Sequence, residues 1–153
     1  CRGCPLGTYA SFAGKADCTL CAAGHYSNIV GANSSDSCFP CLAGSYSSAG
    51  SSSCLQCPSG YYSPKLRAAS CEACPAGTSS IHPGVTTADS CKDCPVGYFS
   101  PAPGSPVCSP CIAGTFCNQS RTSLPGLPCP IGTFSQYPAA TTSSIKEFSA
   151  DPT

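Results

Sequence analysis

Cysteine is the residue with which this chain could do most chemistry. Seven Cys-x-x-Cys pairs punctuate it: Cys1/Cys4, Cys18/Cys21, Cys38/Cys41, Cys54/Cys57, Cys71/Cys74, Cys91/Cys94 and Cys108/Cys111. Such pairs have three uses. Four thiolates can hold zinc, and the spacing C-x2-C-x13-C-x2-C from Cys1 to Cys21 lies near the window for such a site. One pair can act as a redox dithiol, which needs a βαβ setting and a helix N-terminus to lower a thiol pKa. Distant cysteines can also join as structural disulfides. The redox setting is missing, and zinc ribbons rarely recur evenly with one strict phrase between them. Disulfides are the expected use, with no metal and no cofactor.

Other chemistry-bearing residues are few. His25 and His82 lie far apart in sequence without clustered carboxylates, so surface positions are expected for both. Ser is abundant, but no G-x-S-x-G elbow or base partner accompanies it. Asp17, Asp36, Asp89 and Asp93 stand beside or near cysteines, where a carboxylate caps turns more readily than it binds calcium. No enzyme is expected. Asn33-Ser34-Ser35 and Asn118-Gln119-Ser120 are N-glycosylation sequons in turn-rich stretches. Pro64, Pro101, Pro103, Pro106 and Pro110 follow Ser or Ala, the dipeptides at which algal and plant secretory pathways hydroxylate and O-glycosylate proline. Plain turn formation explains them equally well.

The elements that position these residues are repeats. First-cysteine spacings run 17, 20, 16, 17, 20, 17, and fixed periods of this kind settle the architecture before any local reading. Three residues after the second cysteine comes Gly without exception: Gly7, Gly24, Gly44, Gly60, Gly77, Gly97, Gly114 and Gly132. Five residues after it comes an aromatic, Tyr9, Tyr26, Tyr46, Tyr62, Phe99, Phe116 or Phe134, with Ser79 the exception. Ser usually follows. Gly supplies a positive φ at a tight turn. The aromatic then opens a short strand and is expected to lie over the disulfide as a miniature core. Gly, Pro and Ser are too dense for helix. The spacing pattern returns after 53 residues, which suggests a super-repeat of three.

Leu, Ile, Val and Phe number only 22 of 153 residues, too few for one packed core, whereas 16 cysteines suit a disulfide scaffold. Seven basic and seven acidic residues are scattered. No basic patch is available for nucleic acid, and no apolar run long enough to cross a bilayer is present, so no membrane insertion is expected of this segment. The chain opens with Cys1 inside a motif, so it reads as a piece of a longer protein.

The phrase Cys57-Pro58-Ser59-Gly60-Tyr61-Tyr62-Ser63, closed by Ser70-Cys71-Glu72-Ala73-Cys74, resembles the ephrin-receptor-like cysteine-rich repeats, in the style of tumour-necrosis-factor-receptor modules. The resemblance covers roughly residues 1–137. It implies receptor ectodomains or large surface proteins of protists and algae, including mastigoneme-like flagellar hairs. Two departures stand out. Cys117 occupies the usual Ser slot, and Gly126 replaces the first cysteine before Cys129.

Two pairings stay open. A sequential scheme joins Cys4–Cys18, Cys21–Cys38, Cys41–Cys54, Cys57–Cys71, Cys74–Cys91 and Cys94–Cys108, leaves Cys1 for an upstream partner, and leaves one pair and one orphan among Cys111, Cys117 and Cys129. An interleaved scheme joins Cys1–Cys18 with Cys4–Cys21 and so on, ending in Cys108–Cys117 and Cys111–Cys129. The lack of period-two alternation favours the first, and the even cysteine count favours the second. Cys111 and Cys129 are both expected in disulfides. Each loop of about 15 residues contributes on the order of 3 kcal/mol.

The expected fold is therefore a series of small disulfide-rich tandem repeats: short irregular β-hairpins, almost no helix, each repeat meeting only its neighbours, drawn out as an elongated rod. Units start near Cys4, Cys21, Cys41, Cys57, Cys74, Cys94, Cys111 and Cys129 and fill residues 1–137. Residues 138–153 form a linker or the start of another domain, with Ile145 and Phe148 hinting at a strand or docking segment. The expected protein is extracellular and structural: a rod-like segment of a filament, flagellar hair or cell-surface coat. It is expected to carry covalent glycans and to associate with itself or with other filament or coat chains. The alternative is a ligand-binding module of a receptor ectodomain. Bland loops of Ser, Ala, Gly and Thr suit a coat better than a specific protein interface.

Overall fold

The computed structural model describes residues 1–136 and 138–141. Ile145 and Phe148 lie outside the described residues. The architecture is seven antiparallel two-stranded hairpins in tandem: Thr8–Tyr9 with Thr19–Leu20, His25–Tyr26 with Phe39–Pro40, Ser45–Tyr46 with Leu55–Gln56, Tyr61–Tyr62 with Glu72–Ala73, Thr78–Ser79 with Lys92–Asp93, Tyr98–Phe99 with Ser109–Pro110, and Thr115–Phe116 with Leu127–Pro128. One strand of each carries the Gly-x-aromatic phrase. The other consists of the two residues inside the next Cys-x-x-Cys pair or, in the seventh hairpin, inside its Gly126-Leu127-Pro128-Cys129 counterpart. Helix is confined, among the described residues, to two 3-10 turns, Ser35–Ser37 and Ala88–Ser90. They occur at the same place in two repeats 53 residues apart, so the longer period is structural as well as numerical.

The chain divides into two compact units, one of Cys1–Ala73 with His82–Ser90, the other of Cys74–Ile81 with the chain from Cys91 onward. Within each unit one pattern of main-chain bonds joins every repeat to the next. In the first, Gly7 N–H donates to the Ser27 carbonyl (2.8 Å), Gly31 N–H to Cys4 (2.7 Å) and Ala10 N–H to Ala32 (3.0 Å). The same three bonds recur one repeat on as Gly24 to Ser47, Gly50 to Cys21 and Ser27 to Ser51. In the second unit they recur as Gly77 to Ser100, Gly104 to Cys74 and Ser80 to Ser105. Such bonds satisfy main-chain groups that no long sheet is present to satisfy.

The interior differs from the expected one. Cys21, Cys41, Cys57, Cys74, Cys94 and Cys111 are fully buried, and so, nearly, are Ser27, Ser47, Ser63 and Ser100. The aromatics of the phrase are only half-buried where a hairpin covers them. A single small loop has no room to enclose a ring. The space between a disulfide and the next repeat takes a Ser, whose hydroxyl finds a main-chain partner, as Ser47 Oγ does at the His25 carbonyl (2.9 Å).

Repeats also reach beyond their neighbours, a second correction. A β-carbon built at Gly7 would overlap the carbonyl of Gly50, two repeats further on. The same holds for Gly24 against Arg67, Gly44 against Gly84, Gly77 against Arg121 and Gly97 against Ala139. The strict Gly is thus demanded twice, by a positive φ and by this close approach.

Candidate functional site

Six disulfides follow the sequential scheme: Cys4–Cys18, Cys21–Cys38, Cys41–Cys54, Cys57–Cys71, Cys74–Cys91 and Cys94–Cys108. Their Cα–Cα distances of 5.6–5.8 Å lie in the ordinary range for disulfides. The seventh bridge departs. Cys111 pairs with Cys117, six residues on, and not with Cys129, which is unpaired and half-buried. The reason lies in the two departures from the phrase. Gly126 stands where the closing cysteine would, and Cys117 fills the buried slot that Ser100 fills one repeat earlier. The thiol partner of Cys111 has moved from the end of the loop to its interior. Cys1 is also unpaired, and exposed.

A recurrent loop position binds the repeats together, and the sequence reading missed it. Gly31, Gly50, Gly84 and Gly104 have φ between 70 and 80°. Arg67, Arg121 and Ala139, the three described non-glycine residues with positive φ (58–63°), hold the same place. Each donates its N–H to the second cysteine of the preceding repeat: Arg67 to Cys41, Arg121 to Cys94 and Ala139 to Cys111. Where the slot is Gly the signal is visible in sequence. Where it is Arg or Ala nothing marks it.

The remaining polar groups serve local geometry. Ser34 Oγ accepts from Asp36 N–H (3.1 Å) and caps the first 3-10 turn. Asp93 faces Arg121 at 3.7 Å. Asp17 is exposed, and Asp89 lies in the second 3-10 turn. His82 is exposed; half-buried His25 has its Nδ1 3.4 Å from the Ala23 carbonyl. Tyr62 faces Glu72 across its hairpin. Its phenol is pushed above the usual tyrosine value, first by the hydrogen bond to the Glu72 side chain, then by burial and by that carboxylate's charge.

Among the described residues no group of three or more His, Cys, Asp or Glu could hold a metal. None of their helices is long and apolar enough to cross a membrane. Asn33 and Asn118 are exposed, as are Pro64, Pro101, Pro103, Pro106 and Pro110. Asn33 directly precedes the capping Ser34, and Asn118 directly follows Cys117.

The family pattern described as tyrosine-protein kinase ephrin type A/B receptor-like matches residues 1–38 and 44–91. No curated protein matches the chain. With tandem disulfide-closed hairpins and this match over more than half its length, the chain belongs to the ephrin-receptor-like family of cysteine-rich repeats and is a disulfide-rich domain of extracellular type.

Proposed function

We propose that this chain is a structural repeat segment of an extracellular filament, flagellar hair or cell-surface coat, glycosylated at Asn33 and Asn118, without catalytic activity. One observation carries the reading. Within each unit the same three main-chain bonds pass from repeat to repeat, and Gly7, Gly24, Gly44, Gly77 and Gly97 each receive a carbonyl from two repeats on. Quasi-linear repeat proteins draw their stability from such junctions. Here the junctions are backbone-built and the loop side chains project outward, so the loops are free to carry sugar without loss of packing. Antibodies raised against the segment should label isolated surface fibres or the cell coat in the source organism. Glycosidase treatment should lower the mass of the native protein at both asparagines. Label restricted to a plasma-membrane receptor, displaced by a soluble ligand, would sink the proposal.

One feature favours the second reading, a receptor module. Several loops expose a large apolar side chain, among them Phe12 (75% exposed), Val30 and Val107. A protein ligand would cover these residues, and their replacement by Ser would then abolish its binding while leaving the fold intact.

A further inference from the structure

Five of the phrases end in the same alternation of exposure. The aromatic is half-buried, the residue after it is buried, and the next is exposed. Tyr26-Ser27-Asn28, Tyr46-Ser47-Ser48, Tyr62-Ser63-Pro64, Phe99-Ser100-Pro101 and Phe116-Cys117-Asn118 all follow it. Side chains two apart on an extended segment point the same way. The aromatic and the residue two after it therefore share the outer face, and the residue between them points inward. Tyr26 and Tyr46 lie in repeats bonded to a neighbour on either side, so the half-open ring belongs to the phrase itself.

In the seventh repeat this geometry meets a sequon. Asn118-Gln119-Ser120 begins two residues after Phe116. Phe116 ends the strand Thr115–Phe116, and no turn or bend intervenes before Asn118. Cys117 between them is fixed by its bridge to Cys111, by its N–H to the Ala140 carbonyl (3.1 Å) and by its carbonyl, which accepts from Gly97 N–H (2.9 Å). Across the hairpin Phe116 faces Leu127. Directly opposite residues lie on one face of a hairpin, and Leu127 is exposed. Phe116 and Leu127 thus form an apolar platform on the face that carries Asn118. Asn33 has nothing of the kind: Gly31 stands two residues before it and buried Ala32 directly before it. The seventh hairpin also differs in its bridge. In the regular repeats a disulfide ends beside the closing strand, as Cys94–Cys108 does beside Ser109–Pro110. In the seventh the bridge ends at Cys117, and Gly126 precedes the closing strand Leu127–Pro128.

We propose that Phe116 and Leu127 are the binding platform for the innermost sugar of a glycan on Asn118, an N-acetylhexosamine. This deepens the reading of Asn118 as a glycan site and rests on it. One face of such a sugar ring presents C–H bonds that are apolar and slightly positive. The face of an aromatic ring is apolar and carries the negative lobe of its quadrupole. Stacking the two removes apolar surface from water. The sugar is tethered two residues away, so its effective concentration at the ring is high and little further freedom is lost on contact. A sugar resting on Phe116 and Leu127 touches both strands of the hairpin whose closing strand has no disulfide beside it. The glycan on Asn118 is laid along the outer face, whereas one on Asn33 stays free.

The second repeat offers the same face without the sugar. Tyr26-Ser27-Asn28 has Asn at the matching place, but Val30 stands where a sequon needs its hydroxyl. Val30 is exposed, and Thr has nearly its shape. Val30→Thr therefore creates a sequon at Asn28 beside a platform of Tyr26 and Phe39, which face each other across their hairpin with ring centroids 5.8 Å apart.

The test secretes the chain from cells that add N-glycans and follows it by NMR and amide hydrogen exchange. The N-acetyl methyl of the first sugar on Asn118 should move upfield in the ring current of Phe116, while the one on Asn33 keeps its ordinary shift. The amides of Phe116 and Leu127 should exchange about fivefold more slowly than in the sugar-free Ser120→Ala variant, the effect of one aromatic contact. An endoglycosidase that leaves only the first sugar should preserve both signatures. Phe116→Tyr should keep them, and Phe116→Ala should lose them; should that variant fail to fold, the glycosidase series decides on the parent chain. Val30→Thr, made together with Asn33→Gln, should give a second upfield methyl on Asn28. A sugar on Asn118 with an ordinary methyl shift and unchanged exchange would overturn the platform and leave the glycosylation standing. Loss of protection on trimming to the first sugar, or an Asn28 sugar with an ordinary shift, would overturn it equally. Native protein without sugar on Asn118 would overturn both the platform and the glycan site.

Discussion

The carbonyl of Arg67 rests so closely on Gly24 that a β-carbon at Gly24 would overlap it, although 43 residues separate the two. Arg67 is held there with φ at 61°, and its N–H bonds the Cys41 carbonyl at 2.9 Å. One residue therefore ties the fourth repeat to both the third and the second. Gly24→Ala brings a strained φ and a backbone clash, together at least about 2 kcal/mol. Local opening of the Arg67 loop should rise about thirtyfold, read as faster trypsin cleavage after Arg67. Arg67→Gly removes a strained side chain instead. Amide protection of residue 67 should hold or improve by up to about 1 kcal/mol, since the added chain entropy of Gly offsets part of the relief.

The shifted bridge of the seventh repeat predicts a paired effect. Cys117→Ser restores the usual small side chain but strands Cys111 as a buried thiol. It should raise the free-thiol count by one and lower stability by about 2 kcal/mol, the contribution of a loop this short. Adding Gly126→Cys supplies the closing cysteine of a regular repeat. Gly126 has φ at 120°, and a β-carbon there meets the Thr115 hydroxyl, so the turn must relax for the bond to form. The double variant should return to the parental thiol count through a bond from Cys111 to the cysteine introduced in place of Gly126. A peptide map without that linkage would contradict the equivalence of the two slots.

Tyr62 gives a pH signature of one hairpin. Its phenol is bonded to the Glu72 side chain and ionises above the ordinary value near 10. The folded value is raised, so the stability this bond contributes is fully present below the unfolded phenol pKa and is lost as pH rises through the folded one. Glu72→Gln removes the charge and weakens the acceptor. Ultraviolet titration should show one tyrosine moving down towards the ordinary value. Unchanged titration would mean that the cross-strand pair does not hold the phenol.

How far the sequence speaks depends on which residue type a position demands. Gly at the phrase position is required by φ and by close approach, so it never varies and the repeats could be found from it. The hairpins and the scarcity of helix follow from that phrase, but cysteine spacing leaves two pairings open, and only the lack of period-two alternation points to the six regular disulfides found. The loop slot that bonds each repeat to the one before demands only a positive φ, which Arg67 and Arg121 meet at modest strain, so composition hides it. The buried Ser at Ser47 or Ser100 is visible as a pattern, yet Ser is commonly exposed, and nothing local says that another repeat will cover it. Cys117 breaks the pattern in plain sight. Its partner becomes clear only from the burial of that slot beside Cys111.

Reduction should take the fold apart where chelation does not. Among the described residues the buried side chains are mostly those of cysteines and serines, and many large apolar side chains are exposed. Each regular bridge contributes roughly 3 kcal/mol by closing its loop. Removing several at once should exceed the 5–15 kcal/mol or so by which whole domains are stable. Dithiothreitol should therefore unfold the chain without denaturant, while a chelator such as EDTA leaves it unchanged. Pulling separates the contributions further. With the bridges intact, force can extend only the residues outside the loops, because each disulfide carries tension across a Cα–Cα gap of under 6 Å in the regular repeats. Reducing one bridge under load releases 13 to 17 residues, a length step of roughly 40–55 Å at about 3.5 Å per residue. A stretched chain should show up to six such steps in reductant and one shorter step from the Cys111–Cys117 loop. Long extensions before any reductant is added would mean that the loops are not closed as the structure has them.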